Sequence, residues 1–314
     1  MENNSKKMED IKLVIAGLDN AGKTSALIAL RKKYNFIEKV KNLKPTIKID
    51  YNSFDFMNHW TINMWDMGGQ AKYRKIYVNN PIYFTETNYI YYLIDIQDEL
   101  KIEESIRYLH ELLDIYRSMD YANEIIICFN KYDPKFRTRE EFTDRVEMIK
   151  KLILTQNKDM KFQFFKTSIY DISSLSKAIS YSLNKLLNLE EINSQLKKIV
   201  EEFDCNHAIL YTNSGLIISD YYNESMDSRG FEEIISNKIN EDLEFFQRLT
   251  DNKVDIDERL SFVNDNIEYV KRYNIELKNG KNEFYLGLSV PFKRINDMKT
   301  ELQRFHSQIK STFS

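Results

Sequence analysis

The sequence predicts an α/β chain in two parts, a larger one over residues 1–189 and a smaller one over 190–314. Three observations predict it. The 314 residues correspond to about two domains at ~150 residues each. Near the N-terminus an apolar run at 11–16 leads through a glycine loop into a helical pattern, the order of strand, loop and helix. Beyond residue 190 the hydrophobic period alternates between helical and extended, reading helix, hairpin, helix, strands, helix. With 42% apolar residues, 19 Phe, 20 Tyr and only 8 Gly and 4 Pro, the chain can bury real cores, which excludes a disordered or fibrous protein.

Charge is dense but balanced, 45 basic against 48 acidic residues, so no general field favours a nucleic acid or an anionic membrane. The two cysteines, Cys128 and Cys205, belong to no CxxC pair. Neither a disulfide framework nor a zinc site is indicated, and a reducing cytosol fits. Apolar runs stop at about six residues, short of the ~18 of a membrane span. Glu2 stands where myristoylation needs glycine and no prenylation cysteine closes the chain. Any contact with a membrane is expected to go through a partner.

Glycine and proline are scarce, so their positions are informative. The first loop reads Gly17-Leu18-Asp19-Asn20-Ala21-Gly22-Lys23-Thr24, the pattern GxxxxGK[ST], with Ser25 opening the following helix. Glycines let successive backbone N–H groups curl around a diphosphate, and the helix N-terminus adds partial positive charge. Lys23 reaches the terminal phosphates and the Thr24 hydroxyl binds Mg²⁺.

Next, an extended run at 61–64 leads into Trp65-Asp66-Met67-Gly68-Gly69-Gln70. An aspartate at that strand end can hold a Mg²⁺ water, Gly69 can offer its amide to a γ-phosphate, and Gln70 can orient an attacking water. A third, fully apolar strand at 125–129 ends in Asn130-Lys131-Tyr132-Asp133. The Asp133 carboxylate can accept from both the ring N–H and the exocyclic amine of guanine, a pair that adenine lacks, while the Lys131 stem covers the ring. A site built on such polar pairs discriminates by ~10⁴ to 10⁵. After a sixth strand at 162–166 come Thr167-Ser168-Ile169, where the 168–169 backbone can donate to the guanine carbonyl.

In this order the motifs make residues 10–188 resemble a small GTPase. GLDNAGKT, Pro45-Thr46, WDMGGQAKYR and FNKYD resemble the Arf and Sar branch, Asp19 included, whereas TSIYD at 167–171 is closer to the Rag/Gtr GTPases. The resemblance implies a P-loop GTPase domain with a mostly parallel six-stranded sheet. It makes Thr46 the switch I threonine that reaches Mg²⁺ and γ-phosphate, and residues 67–82 switch II. One departure is visible: the stretch at 70–84 is longer than in Arf proteins.

The second part carries no phosphate or metal motif. Ile192, Leu196, Ile199 and Phe203 form a helical stripe. Extended runs at 208–211 and 216–222 flank Asn213-Ser214-Gly215 as a hairpin, and a helix follows over 231–249. Ile267, Tyr269, Tyr273, Ile275 and Leu277 alternate up to Asn279-Gly280, and 284–290 returns as a second hairpin. A last helix presents Ile295, Met298, Leu302, Phe305 and Ile309. This order resembles the roadblock or longin-type domain that Rag/Gtr GTPases carry, an α/β unit with an antiparallel sheet. The apolar face of the last helix reads as core, with dimerisation as the sharper alternative.

Other residues have bland readings. His110 interrupts a stripe of Ile102, Ile106, Leu109, Leu113 and Tyr116 and reads as solvated or packed. His207 beside Cys205 reads as strand packing. The three lysines within 39–44 read as a solvated loop.

The leading expectation is a Mg²⁺-dependent switch that binds and slowly hydrolyses GTP, with GTP or GDP as ligand and help from a GTPase-activating protein and an exchange factor. Catalysis would rest on Gln70, Lys23 and Thr46, and the metal on Thr24, Thr46 and Asp66. Residues 190–314 would hold a homodimer or a heterodimer with a related GTPase. The Rag/Gtr resemblance implies nutrient signalling and the Arf resemblance membrane traffic, in either case from the cytoplasm with peripheral recruitment to an endomembrane. The alternative is a scaffold subunit of a Rag-like dimer that binds guanine nucleotide and hydrolyses little of it. A metabolic P-loop ATPase or kinase is disfavoured by Asp133.

Overall fold

The computed structural model describes residues 9–31, 40–41, 43–56, 60–187, 190–213, 215–223, 231–277 and 280–313. The chain divides into two compact units, 1–178 and 179–314, and the division falls within the helix Ile172–Leu187.

The first unit is a six-stranded sheet in the order β2-β3-β1-β4-β5-β6. Its strands are β1 (Glu9–Ala16), β2 (Ile49–Phe56), β3 (Trp60–Met67), β4 (Tyr89–Asp95), β5 (Ile125–Asn130) and β6 (Phe162–Thr167). All neighbours are parallel except β2, which runs antiparallel to β3. Parallel strands joined by helical crossovers are covered on both faces, so they read as nearly unbroken apolar runs. In β5 every residue is buried, and in β4 only Asp95 emerges.

The helices are α1 (Lys23–Arg31), α2 (Ala71–Val78), α3 (Ile102–Ser118), α4 (Glu140–Gln156) and α5 (Ile172–Leu187). In α3 the expected stripe of Ile102, Ile106, Leu109, Leu113 and Tyr116 is buried. Glu103 and Glu104 in its first turn and Arg117 in its last suit the helix dipole. His110 lies half-buried on α3 with Nε2 3.3 Å from the Asn157 amide, and burial lowers its pKa.

The second unit is a five-stranded antiparallel sheet in the order β8-β7-β11-β10-β9. Its elements are α6 (Glu190–Phe203), β7 (His207–Thr212), β8 (Ile217–Tyr222), α7 (Phe231–Asp251), β9 (Glu258–Val263), β10 (Asn266–Leu277), β11 (Gly280–Pro291) and α8 (Ile295–Phe313). On one sheet face Ile209, Tyr211, Ile217, Val270 and Tyr285 pack with Ile235, Ile239, Leu243 and Phe246 of α7. The α6 stripe of Ile192, Leu196, Ile199 and Phe203 is buried, as are Met298, Leu302 and Phe305 of α8. The side chain of Ile309, and Ser214 and Asn279 of the two expected turns, lie outside the described residues.

One strand departs from expectation. Strand β9 carries no buried alternation: Leu260, Phe262 and Val263 are exposed, Phe262 by 72%. Among the described residues it is an edge strand paired only with β10, so backbone pairing rather than burial defines it. No described helix is long and apolar enough to cross a membrane.

Candidate functional site

The motifs converge because the chain leaves each parallel strand on the same edge of the sheet. The loop after β1 carries residues 17–22, β3 ends on Asp66 and Met67, β5 ends on Asn130 and β6 on Thr167. In open α/β sheets this carboxyl edge is where ligands bind. A cavity of about 240 Å³ opens there, lined among others by Asp19, Gly22, Lys23, Thr24, Ser25, Thr46, Gly69 and Gln70.

Two close approaches shape the phosphate end. Gly22 has φ +86, and a Cβ on it would lie 2.4 Å from the Asn130 amide nitrogen. Gly69 sits against the phosphate loop so tightly that a Cβ would meet the backbone of Leu18 and Asp19 at 2.3 Å. The Asp19 N–H donates to the Gly69 carbonyl at 3.0 Å, which fixes the start of α2, and so Gln70, beside residues 17–22. Lys23 is 6% exposed and donates from Nζ to the carbonyls of Gly17 at 3.0 Å and Leu18 at 2.6 Å. Burial pulls its pKa down to about 8, opposed by Asp66 and Asp19. An amine held this way is disposed to take a phosphate in place of two neutral carbonyls.

Beside it Thr24 Oγ1 donates to Asp66 Oδ2 at 2.5 Å and lies 2.8 Å from Thr46 Oγ1, which is 3.3 Å from the same carboxylate oxygen. Asp66 is fully buried, and its other oxygen, Oδ1, has no hydrogen-bond partner among the described residues. Burial raises its pKa against the opposing bonds from Thr24 and Thr46 and the charge of Lys23. Two hydroxyls and an incompletely satisfied carboxylate are a hard, all-oxygen donor set of the kind Mg²⁺ takes. These three residues therefore fit the metal expected from the sequence.

At the other end Asn130, 1% exposed, donates to the Ala21 carbonyl at 2.7 Å and accepts from the Thr167 hydroxyl at 3.0 Å. Asp133 accepts from the Ser168 hydroxyl at 2.6 Å on Oδ1 and from Gln97 Nε2 at 3.1 Å on Oδ2. Lys131, at φ +62, pairs with Asp95 at 2.7 Å. The Ser168 N–H donates to Ser174 Oγ at 3.1 Å, and Ile169 follows half-buried.

Sequence reasoning missed Gln97, whose amide also donates to the Lys131 carbonyl at 2.7 Å, and Lys101, whose ammonium lies 3.4 Å from Asp19. Neither belongs to a short motif. Arg74 is the arginine within residues 67–82, but its guanidinium pairs with Glu104 and lies 5.0 Å from the Tyr108 ring centre, both on α3.

The fold and this site define a small GTPase with both Arf-like and Rag/Gtr-like character. The Gtr1/RagA G protein conserved region matches residues 12–239, and the chain belongs to that family. It is 32% identical over 127 residues to ADP-ribosylation factor-like protein 2 of Drosophila melanogaster, covering 40% of this chain and 63% of that one. It is 28% identical over 184 residues to ADP-ribosylation factor-like protein alp41 of Schizosaccharomyces pombe, covering 59% and 90%. It is 23% identical over 208 residues to Ras-related GTP-binding protein B of Rattus norvegicus, covering 64% and 54%. The chain thus spans less than two thirds of the fly and rat proteins. A solved structure of the Arl6 BBS3 small GTPase from Trypanosoma brucei with bound GppNp aligns with a TM-score of 0.45 at 18% identity, over 56% of this chain and 96% of that one.

Proposed function

We propose that this chain is a Mg²⁺-dependent switch that binds GTP and GDP and hydrolyses GTP slowly. The observation that carries the reading is the convergence of the Thr24 and Thr46 hydroxyls on Asp66 Oδ2, with Oδ1 of the same carboxylate left without a partner among the described residues, at a cavity lined by Lys23 and Gln70. Gln70 would orient a water for attack on the γ-phosphorus, the bond to the bridging oxygen would break, and GDP would leave with phosphate. Lys23 and the phosphate-loop amides would meet the charge on the phosphoryl oxygens. Thr24, Thr46 and Asp66 would hold the Mg²⁺ that neutralises charge between β- and γ-phosphates. Asp133, held by Ser168 and Gln97, would select guanine.

Residues 1–189 would form the nucleotide domain and 190–314 a roadblock or longin-like platform for a homodimer or a related GTPase. Support for the platform is the edge of β9 that no described strand pairs, with Leu260, Phe262 and Val263 exposed. The chain would act in nutrient signalling or membrane traffic from the cytoplasm, with an activator and an exchange factor, a reading supported by the Rag/Gtr and Arf resemblance alone.

Nucleotide titration tests the reading. The wild-type chain should bind GTP and GDP and reject ATP, and Asp133→Asn should lose GTP and gain xanthosine triphosphate, because the amide presents a donor where guanine needs an acceptor. Competition by ATP on a par with GTP would overturn guanine selection.

A further inference from the structure

We infer that Tyr77 is a positioning residue that ties the switch II helix to the segment carrying Thr46, so that the two respond to the nucleotide as one body. The inference rests on the GTPase reading above and adds a residue outside every nucleotide motif.

The link is one carbonyl. The Lys48 C=O accepts from the Gly68 N–H at 2.7 Å and from the Tyr77 hydroxyl at 2.6 Å. Lys48 has φ +58, a left-handed conformation that residues with a Cβ adopt at a cost. Gly68 permits the approach from the other side: a Cβ there would lie 2.7 Å from the Lys48 carbonyl oxygen and 2.9 Å from that of Thr46. Two residues upstream of Lys48, the Thr46 hydroxyl stands among the oxygens of Thr24 and Asp66.

Tyr77 is well anchored. It is 1% exposed, within the core formed with Tyr73, Phe84 and Tyr92, and its ring meets Tyr83 edge-on with centroids 5.5 Å apart. It projects from α2, the helix that Gln70 begins. A withdrawal of Thr46 that carried the Lys48 carbonyl away would leave the Tyr77 hydroxyl buried without an acceptor, and an abandoned buried donor costs more than the hydrogen bond is worth. Switch I can therefore leave the metal site cheaply only if α2 moves with it. Conversely, a γ-phosphate that holds Thr46 also fixes α2 and Gln70.

Tyr77→Phe removes the donor and keeps the ring. Hydrogen exchange of residues 43–48 and 71–78 would be followed in the full chain with Mg²⁺ and either GDP or GppNp. In the wild type both segments should become protected together on exchanging GDP for GppNp. In Tyr77→Phe GDP affinity should stay within about twofold, GppNp affinity should fall roughly tenfold, the size of one hydrogen bond, and residues 43–48 should lose protection while 71–78 keep theirs. Lys48→Gly, which relieves the left-handed strain and keeps the carbonyl, should behave as the wild type. A variant that merely fails to fold would lose GDP as well, and then the separation of the two segments in Lys48→Gly decides: joint protection supports the link, independent protection overturns it. Joint protection in a folded Tyr77→Phe with unchanged GppNp affinity would overturn the inference alone. A wild type that binds neither nucleotide would overturn the GTPase reading and the inference with it.

Discussion

Asn130 donates its side-chain amide to the carbonyl of Ala21 at 2.7 Å, joining the end of β5 to the loop after β1. The same side chain accepts from Thr167 at 3.0 Å. One buried amide thus holds together the loops expected to meet phosphate, base and the base carbonyl.

Asn130→Ala should loosen nucleotide at both ends. It abandons the Ala21 carbonyl and the Thr167 hydroxyl, each at a cost of about 1–3 kcal/mol if left buried and unpaired. Release of a fluorescent GDP should quicken by about 10- to 100-fold, with a lower urea midpoint. An unchanged release rate would show that the bridge plays no part in holding ligand.

Hydrolysis by the isolated chain should be slow. No arginine occurs from residue 34 to 46, Leu43 lines the cavity instead, and Arg74 is engaged by Glu104 and Tyr108 on α3. Single-turnover assays should give on the order of 10⁻⁴ to 10⁻³ s⁻¹, with room for ~10⁵ from an activator, and Gln70→Leu should be slower still. Turnover near 1 s⁻¹ by the chain alone, about the rate of activator-assisted enzymes, would reveal a catalytic cation elsewhere.

Self-association should run through β9. An edge strand left unpaired on one side among the described residues, with exposed apolar side chains, invites a further strand, and Phe262 is 72% exposed. Light scattering at tens of micromolar should show a dimer for the wild type and a monomer for Phe262→Asp. A monomeric wild type would exclude homodimerisation and leave a related GTPase as the partner to test.

Stability should decline on mild acidification through His207. Burial pulls its pKa from 6.5 down to about 4, with Glu268 opposing and Lys238 assisting. Above pH 6.5 both folded and unfolded imidazoles are neutral and the contribution is complete. Between 6.5 and 4 the unfolded chain takes up a proton that the fold excludes, so stability falls with pH, by about 3 kcal/mol in all at ~1.4 kcal/mol per unit. In His207→Gln the urea midpoint should fall less steeply across that window. Parallel profiles would place the acid sensitivity elsewhere.

What was legible in the sequence was chemistry carried by neighbours along the chain. Gly17 to Thr24, Asp66 to Gln70 and Asn130 to Asp133 are contiguous, and their flanking strands are apolar enough to be read directly. Gln97 and Tyr77 escaped because their roles depend on what tertiary packing brings to them, the Asp133 carboxylate and the Lys48 carbonyl. Strand β9 escaped for a different reason: hydropathy records burial, and an edge strand with Phe262 outward has little to record.

The middle position of β11 bears on how the second unit comes into being. Strand β11 lies between β7 and β10, yet β7 precedes it by the whole of β8, α7, β9 and β10. During synthesis the β7–β8 hairpin must wait for nearly all of the chain before its other neighbour emerges, a high-contact-order arrangement that forms slowly. A ribosome stalled before residue 280 would release the sheet without its centre, as two hairpins with no strand between them, while every strand of the first unit's sheet was already complete.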